Sequence, residues 1–159
     1  MKEIDEVLCY VRDSVKKRPS KTRSCAIVDT FWAIQIKNFH EGKINGKTLE
    51  YLLQYCKGEL PEGVATKWDE TYYVYSPYFV NANHWVALEI DLQEWVLNVY
   101  DSNHNLMTEE HIIEELNPVM VRVPLILSLY PGTAEKYAGQ NAKPLGFNWV
   151  KGVKQNKRT

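Results

Sequence analysis

The chain has 159 residues, 45% hydrophobic and 12% aromatic, enough for one domain with a buried core. A formal net charge of -1 gives no basic balance for nucleic acid or an anionic membrane surface, and the apolar runs are too short to span a bilayer. Cys9, Cys25 and Cys56 are odd in number and widely spaced. That spacing argues for a reducing compartment, nucleus or cytoplasm, and against a disulfide scaffold or a paired-cysteine metal site. Met1–Glu6 is charged where a secretory leader needs apolar residues.

Ile4, Val7, Leu8, Val11 and Val15 recur at helical spacing, predicting an amphipathic helix that stops near Pro19. Residues 16–23 hold five basic residues, which fit a nuclear address or, more economically, a solvated helix end and linker. Residues 1–20 are thus set apart from a domain over 21–159. Ser24 is a candidate cap for a helix with Ile27, Phe31 and Ile34 on one face. After the Asn45-Gly46 turn, Leu49, Leu52, Leu53 and Cys56 predict a third helix, then Gly58–Gly63 a loop. Thr71–Val80 reads as a strand that Pro77 places at an edge or a bend.

Asn83–Ile90 and Trp95–Ser102 are both of strand length and rich in β-branched and aromatic residues. The four residues between them predict a hairpin. A loop centred on Leu92-Gln93 pairs residues whose numbers sum to 185. In that register His84 faces Asp101 at the open end of a face formed by Val86, Leu88, Ile90, Trp95, Leu97 and Val99. Beyond the hairpin, Thr108 caps a predicted helix through about Leu116. Val119–Val123 reads as a short strand, Leu125–Tyr130 as the start of a helix, Gln140–Gly146 as loop and Trp149–Val153 as a last strand. The class is α+β, with a mainly antiparallel sheet.

An imidazole beside a carboxylate is the base-and-orienter half of a nucleophilic triad. Opposed across a hairpin, such a pair is more often a simple cross-strand contact. Other chemistry is weaker. Cys25 precedes His84 as a papain-type nucleophile would, without the glycine-rich motif, and reads better as a small buried residue. His104 and His111 flank Glu109 and Glu110 without a standard metal spacing, which favours a solvated helix start. Tyr72, Tyr73, Tyr75 and Tyr78 fit a sheet face as well as a recognition surface. No metal or other cofactor is expected.

The residues around the pair carry a resemblance. Tyr75-Ser-Pro-Tyr-Phe-Val-Asn-Ala-Asn-His84-Trp85 and Val99-Tyr100-Asp101-Ser102 resemble, in order and interval, the His and Asp motifs of the ubiquitin-like-protein-specific cysteine proteases, the SUMO/sentrin protease family. Ile27–Trp32 resembles that family's early helix, and the flavour is that of its divergent, transposon-associated plant members. The resemblance spans roughly residues 24–159 and is specific around 75–102. It implies a papain-like cysteine proteinase fold of the SUMO-protease type, without cofactors, cleaving peptide or isopeptide bonds at the Gly-Gly tail of SUMO or another ubiquitin-like protein. The enzyme would act as a monomer. His84 would be the base, Asp101 its orienter, Gln155 an oxyanion donor, and Trp85 a wall of the tail channel.

The family places its Cys six residues after that Gln, in Asp-Cys-Gly. Six beyond Gln155 is 161, past Thr159, and six beyond the alternative Gln140 is Gly146. The expectation is therefore a partial, C-terminally incomplete catalytic domain, inactive as it stands, or a non-catalytic module that binds a ubiquitin-like partner. A missing central helix would also uncover the hairpin's apolar face. At about 2 kcal/mol per large side chain this costs on the order of 10 kcal/mol, as much as a whole domain's stability. A marginally folded or aggregation-prone chain is expected.

Overall fold

The computed structural model describes residues 24–43, 46–140 and 143–155. The helix expected over 4–15, the basic run at 16–23 and Cys9 lie outside the described residues. Cys25–Ile27 (β1), Tyr73–Val80 (β2), His84–Asp91 (β3), Val96–Tyr100 (β4) and Gly146–Trp149 (β5) form one sheet in that spatial order. β2, β3 and β4 are antiparallel, while β1 and β5 add parallel strands at the edges. The helices are Thr30–His40 (α1), Thr48–Cys56 (α2), Glu109–Leu129 (α3) and Pro131–Lys136 (α4), with a 3₁₀ turn at Trp68–Glu70. The class is α+β, as the sequence predicts.

Period-two patterning decides which sheet face is buried. Val86, Leu88, Ile90, Trp95, Leu97 and Val99 are each at most 6% exposed. They form one apolar cluster with Trp32 and Ile36 of α1, Leu52 of α2 and Leu116, Val119 and Val123 of α3. The expected loss of cover on this face is therefore not seen. Its cover comes from α1 and from an α3 longer than the sequence predicts.

The hairpin register differs from the prediction by two residues. Its pairs sum to 187, as in Leu88 with Val99 and Asp91 with Val96. The loop is Leu92–Trp95, one residue later than expected. Asp91 sets it, because Oδ1 accepts from the backbone N–H of Gln93 and Glu94, both at 3.0 Å. Trp95 closes it in the left-handed region at φ 59°. A shift of two preserves every face, whereas a shift of one would have turned the apolar set outward.

The second predicted helix is displaced as well. Residues 25–27 are strand, and the helix starts at Thr30 because Asp29 caps it, its Oδ1 accepting from Trp32 N at 3.1 Å. Trp32, Ala33, Ile36 and Phe39 face inward, while Phe31 and Ile34 are 40% and 42% exposed. The same Oδ1 accepts from the Tyr55 hydroxyl of α2, which docks the two helices. Asp29→Ala is expected to lower unfolding free energy by about 2–3 kcal/mol in urea denaturation, combining a lost cap with a lost buried acceptor. Asp29→Asn, which keeps the acceptor, should lose less than half of that.

The predicted strand at 119–123 is helix. α3 runs through Pro118 and Pro124 to Leu129. A proline frees the carbonyl four residues earlier. For Pro124 that carbonyl belongs to Met120, and Leu145 N donates to it at 3.0 Å. The lost helical bond is replaced by one that brings in the segment leading to β5. β5 occupies 146–149, not 149–153 as predicted. Gly146 sits so close to β4 that a Cβ there would lie 2.9 Å from Val96 Cγ2. Pro77 meets the edge condition locally, since β1 ends at Ile27, opposite Tyr75. On the outer face Glu89 accepts from Tyr75 Oη (2.8 Å) and Asn98 Nδ2 (2.9 Å), and Asn98 Oδ1 accepts from Asn148 Nδ2 (2.9 Å).

Candidate active site

His84 is the first residue of β3 and Asp101 the first after β4. They are diagonal rather than opposed, because the observed register would set residue 103 against His84. Their side chains still meet, with Nε2 and Oδ1 2.7 Å apart. The His84 side chain is 13% exposed and that of Asp101 fully buried. Asn103 N also donates to Asp101 Oδ1 at 2.8 Å. Asp101 Oδ2 is buried with no partner among the described residues. An ionised carboxylate only accepts, so the shared proton is the ring's Nε2–H and the lone pair sits on Nδ1. The pair therefore presents Nδ1 as a base, held in one tautomer by a buried acceptor that stabilises the imidazolium once a proton is taken.

Gln155 lies beside the pair after a turn at Lys151-Gly152. Its Nε2 donates to Asp101 O (2.9 Å) and Val153 O (3.0 Å), and its Oε1 accepts from His104 N (2.8 Å). Both of its N–H groups are directed at backbone carbonyls. In this arrangement it braces the Asp101 loop. Gln140 sits in a backbone turn after α4, its N–H donating to Tyr137 O.

Two cysteines fall among the described residues. Cys25 pairs with Tyr73, whereas His84 pairs with Val80 at the other end of β2. Seven residues at ~3.3 Å separate those ends by about 23 Å. That distance removes the papain-type reading of Cys25. Cys56 is buried on α2, and burial pushes its thiol up to about 12. Burial also pushes the Cys25 thiol up. Neither is an activated thiolate.

Trp85 points to the other sheet face and is half-buried, its ring 4.9 Å from Phe79. With Thr30, Ala33, Ile34 and Lys37 of α1 these two rings line an open, largely apolar cleft of about 420 Å³. Of these α1 residues the sequence singled out Ile34 alone, as part of a helix face and not of a cleft. The structure instead leaves Ile34 42% exposed, outside the buried face of Trp32, Ala33, Ile36 and Phe39.

A second cleft, of about 580 Å³, lies between the end of α1 and the start of α3 and is polar. No group of three potential metal ligands occurs among the described residues. His104 packs on Trp149 at 4.7 Å, and His111 approaches Glu115 at 3.4 Å. No helix among the described residues is long and apolar enough to cross a membrane.

Residues 1–159 match the family model described as "Ulp1 protease family, C-terminal catalytic domain". No curated protein matches the chain. Among solved structures, the chain is similar to the SUMO protease Ulp1 with its catalytic cysteine oxidised to a sulfonic acid. The identity is 15%, the coverage 76% of this chain and 52% of that one, and the TM-score 0.37. It is also similar to the C-terminal Ulp1 protease domain in complex with Smt3, the yeast ortholog of SUMO. There the identity is 13%, the coverage 87% and 72%, and the TM-score 0.36. The chain thus spans about half the length of the first. At these identities and TM-scores the likeness assigns no residue and no substrate here.

Proposed function

The chain belongs to the Ulp1 protease family, and from that membership we propose that His84 and Asp101 are the base and orienter of a cysteine-type peptidase acting at the Gly-Gly tail of SUMO or another ubiquitin-like modifier. The observation that carries this reading is the 2.7 Å contact from a nearly buried imidazole to a fully buried carboxylate. His84 Nδ1 takes the proton of a thiol, and the thiolate attacks the carbonyl of the terminal glycine. The imidazolium then protonates the leaving amine, and water releases the acyl group by the same base. Cys25 lies about 23 Å from His84 along β2 and Cys56 is buried with its thiol pushed up, so in this reading the thiol comes from outside residues 24–155. The apolar cleft beside Trp85 is where an extended tail of small residues would lie.

A second reading is a non-catalytic module that binds a ubiquitin-like protein. It is favoured by the same cleft, which needs no thiol, and by the commitment of both Gln155 N–H groups. One pair of measurements separates the two. A modifier whose terminal glycine carries a thiol-reactive electrophile is added to residues 1–159 and to the product of the whole reading frame. For the peptidase, the first binds without forming an adduct. The second forms one on a cysteine beyond residue 155, and His84→Ala abolishes it. For the module, both bind and neither reacts. In either case Trp85→Ala is expected to weaken binding by about tenfold, some 1.4 kcal/mol. An adduct on Cys25 or Cys56, or no binding of any ubiquitin-like protein, would sink both readings.

A further inference from the structure

The turn that delivers His84 is an uncomfortable one. Asn83 N donates to Val80 O at 3.2 Å, and both residues between them are left-handed, Asn81 at φ 53° and Ala82 at φ 56°. Asn tolerates that region, but the Cβ of Ala crowds the backbone there. His84 follows at once, paired with Val80. Strain at this point persists only if the surroundings hold the turn.

Two helix side chains do so, one on each side of Val80. Lys37 of α1 donates from Nζ to Phe79 O at 2.7 Å. Glu115 of α3 accepts from Asn81 N at 3.1 Å through Oε1. Burial lowers the Lys37 ammonium, and the Glu115 carboxylate partly restores it, so the two ends of the grip are charge-complementary. The second contact of Glu115, to His111 Nε2, is longer at 3.4 Å and lies on the exposed side. The backbone bond is therefore the one that fixes the carboxylate.

We infer that Glu115 is a positioning residue for His84, holding the left-handed Asn81–Ala82 turn so that the imidazole reaches Asp101. This rests on the reading of His84 as base and Asp101 as orienter. Glu115 touches neither of them. It acts through the backbone of Asn81, three residues before His84. The chemistry it requires is an acceptor at that reach, not a charge.

The test is the imidazole Nε2–H resonance of His84, shifted far downfield by a short bond to a buried carboxylate, followed by NMR in residues 1–159. Asp101→Asn identifies the resonance by removing it. Glu115→Ala is expected to lose or broaden it, and Glu115→Gln, which keeps the acceptor, to retain it. A generic loss of stability would not sort the variants this way. Should Glu115→Ala fail to fold, Glu115→Asp replaces it, with its charge intact and its reach one methylene short. Loss of the resonance in Glu115→Asp beside its retention in Glu115→Gln supports the inference. A resonance unchanged in Glu115→Ala, or the same in Asp and Gln variants, overturns it. Absence of the resonance from the unmodified chain removes the base–orienter reading, and the inference with it.

Discussion

Asp101→Asn is expected to lower kcat by on the order of 10⁴-fold in a chain that carries the nucleophilic thiol, with KM little changed. The substitution is nearly isosteric at a fully buried site, so the fold should survive it. What changes is the proton. The carboxylate obliges the ring to carry its hydrogen on Nε2, leaving Nδ1 basic. A carboxamide can turn its own N–H toward Nε2 and send the ring hydrogen to Nδ1, where the base is needed. It also withdraws the buried charge that stabilises the imidazolium. Turnover of a modifier fusion, compared as kcat and KM separately, is the measurement. A fall of less than tenfold in kcat would remove Asp101 from the mechanism.

Leu88→Ala is expected to cost about 3–4 kcal/mol and to lower the melting temperature by roughly 10 °C or more. Leu88 is fully buried on the central strand, paired with Ser76 on one side and Val99 on the other. Helices cover this face, so the void cannot fill with water from an open side and the neighbours can collapse only partly. Residues 1–159 themselves should unfold in one cooperative transition, because the apolar face is in contact with α1 and α3 rather than bare. A broad, non-cooperative melt, or a Leu88→Ala loss below 1 kcal/mol, would show that the cover is absent in solution.

Both predictions depend on parts of the chain that differ in how readable they were. The faces of the hairpin were legible because period two survives an even shift. The expectation that His84 meets Asp101 held in contact, though not in register, for the same reason. The register was not legible, since Asp91 and a left-handed Trp95 set the loop without the glycine or asparagine that usually marks such a turn. The length of α3 was hidden because its residues were divided into a helix, a strand and a second helix, with Pro118 and Pro124 at the two divisions. Only a partner 25 residues away, Leu145, reveals how Met120 O is satisfied. β1 was hidden because three residues give no period, and Ser24 offered a cap earlier than Asp29. All three cysteines precede His84 in the sequence, and the strand pairing then sets Cys25 about 23 Å from His84, a separation that residue order alone does not give.

The hydrogen-bonded row Tyr75–Glu89–Asn98–Asn148 crosses four strands on the sheet face opposite the apolar core. Burial and the neighbouring carboxylate push the Tyr75 phenol up, so it remains a donor across the physiological range. Its consequence is colloidal. A second sheet laid on this face would have to strip water from a carboxylate and from amides whose remaining valences it could not match. The edges are also short, three residues in β1 and four in β5. A chain built around a strongly apolar hairpin thus presents little that would template cross-β stacking, flank or face.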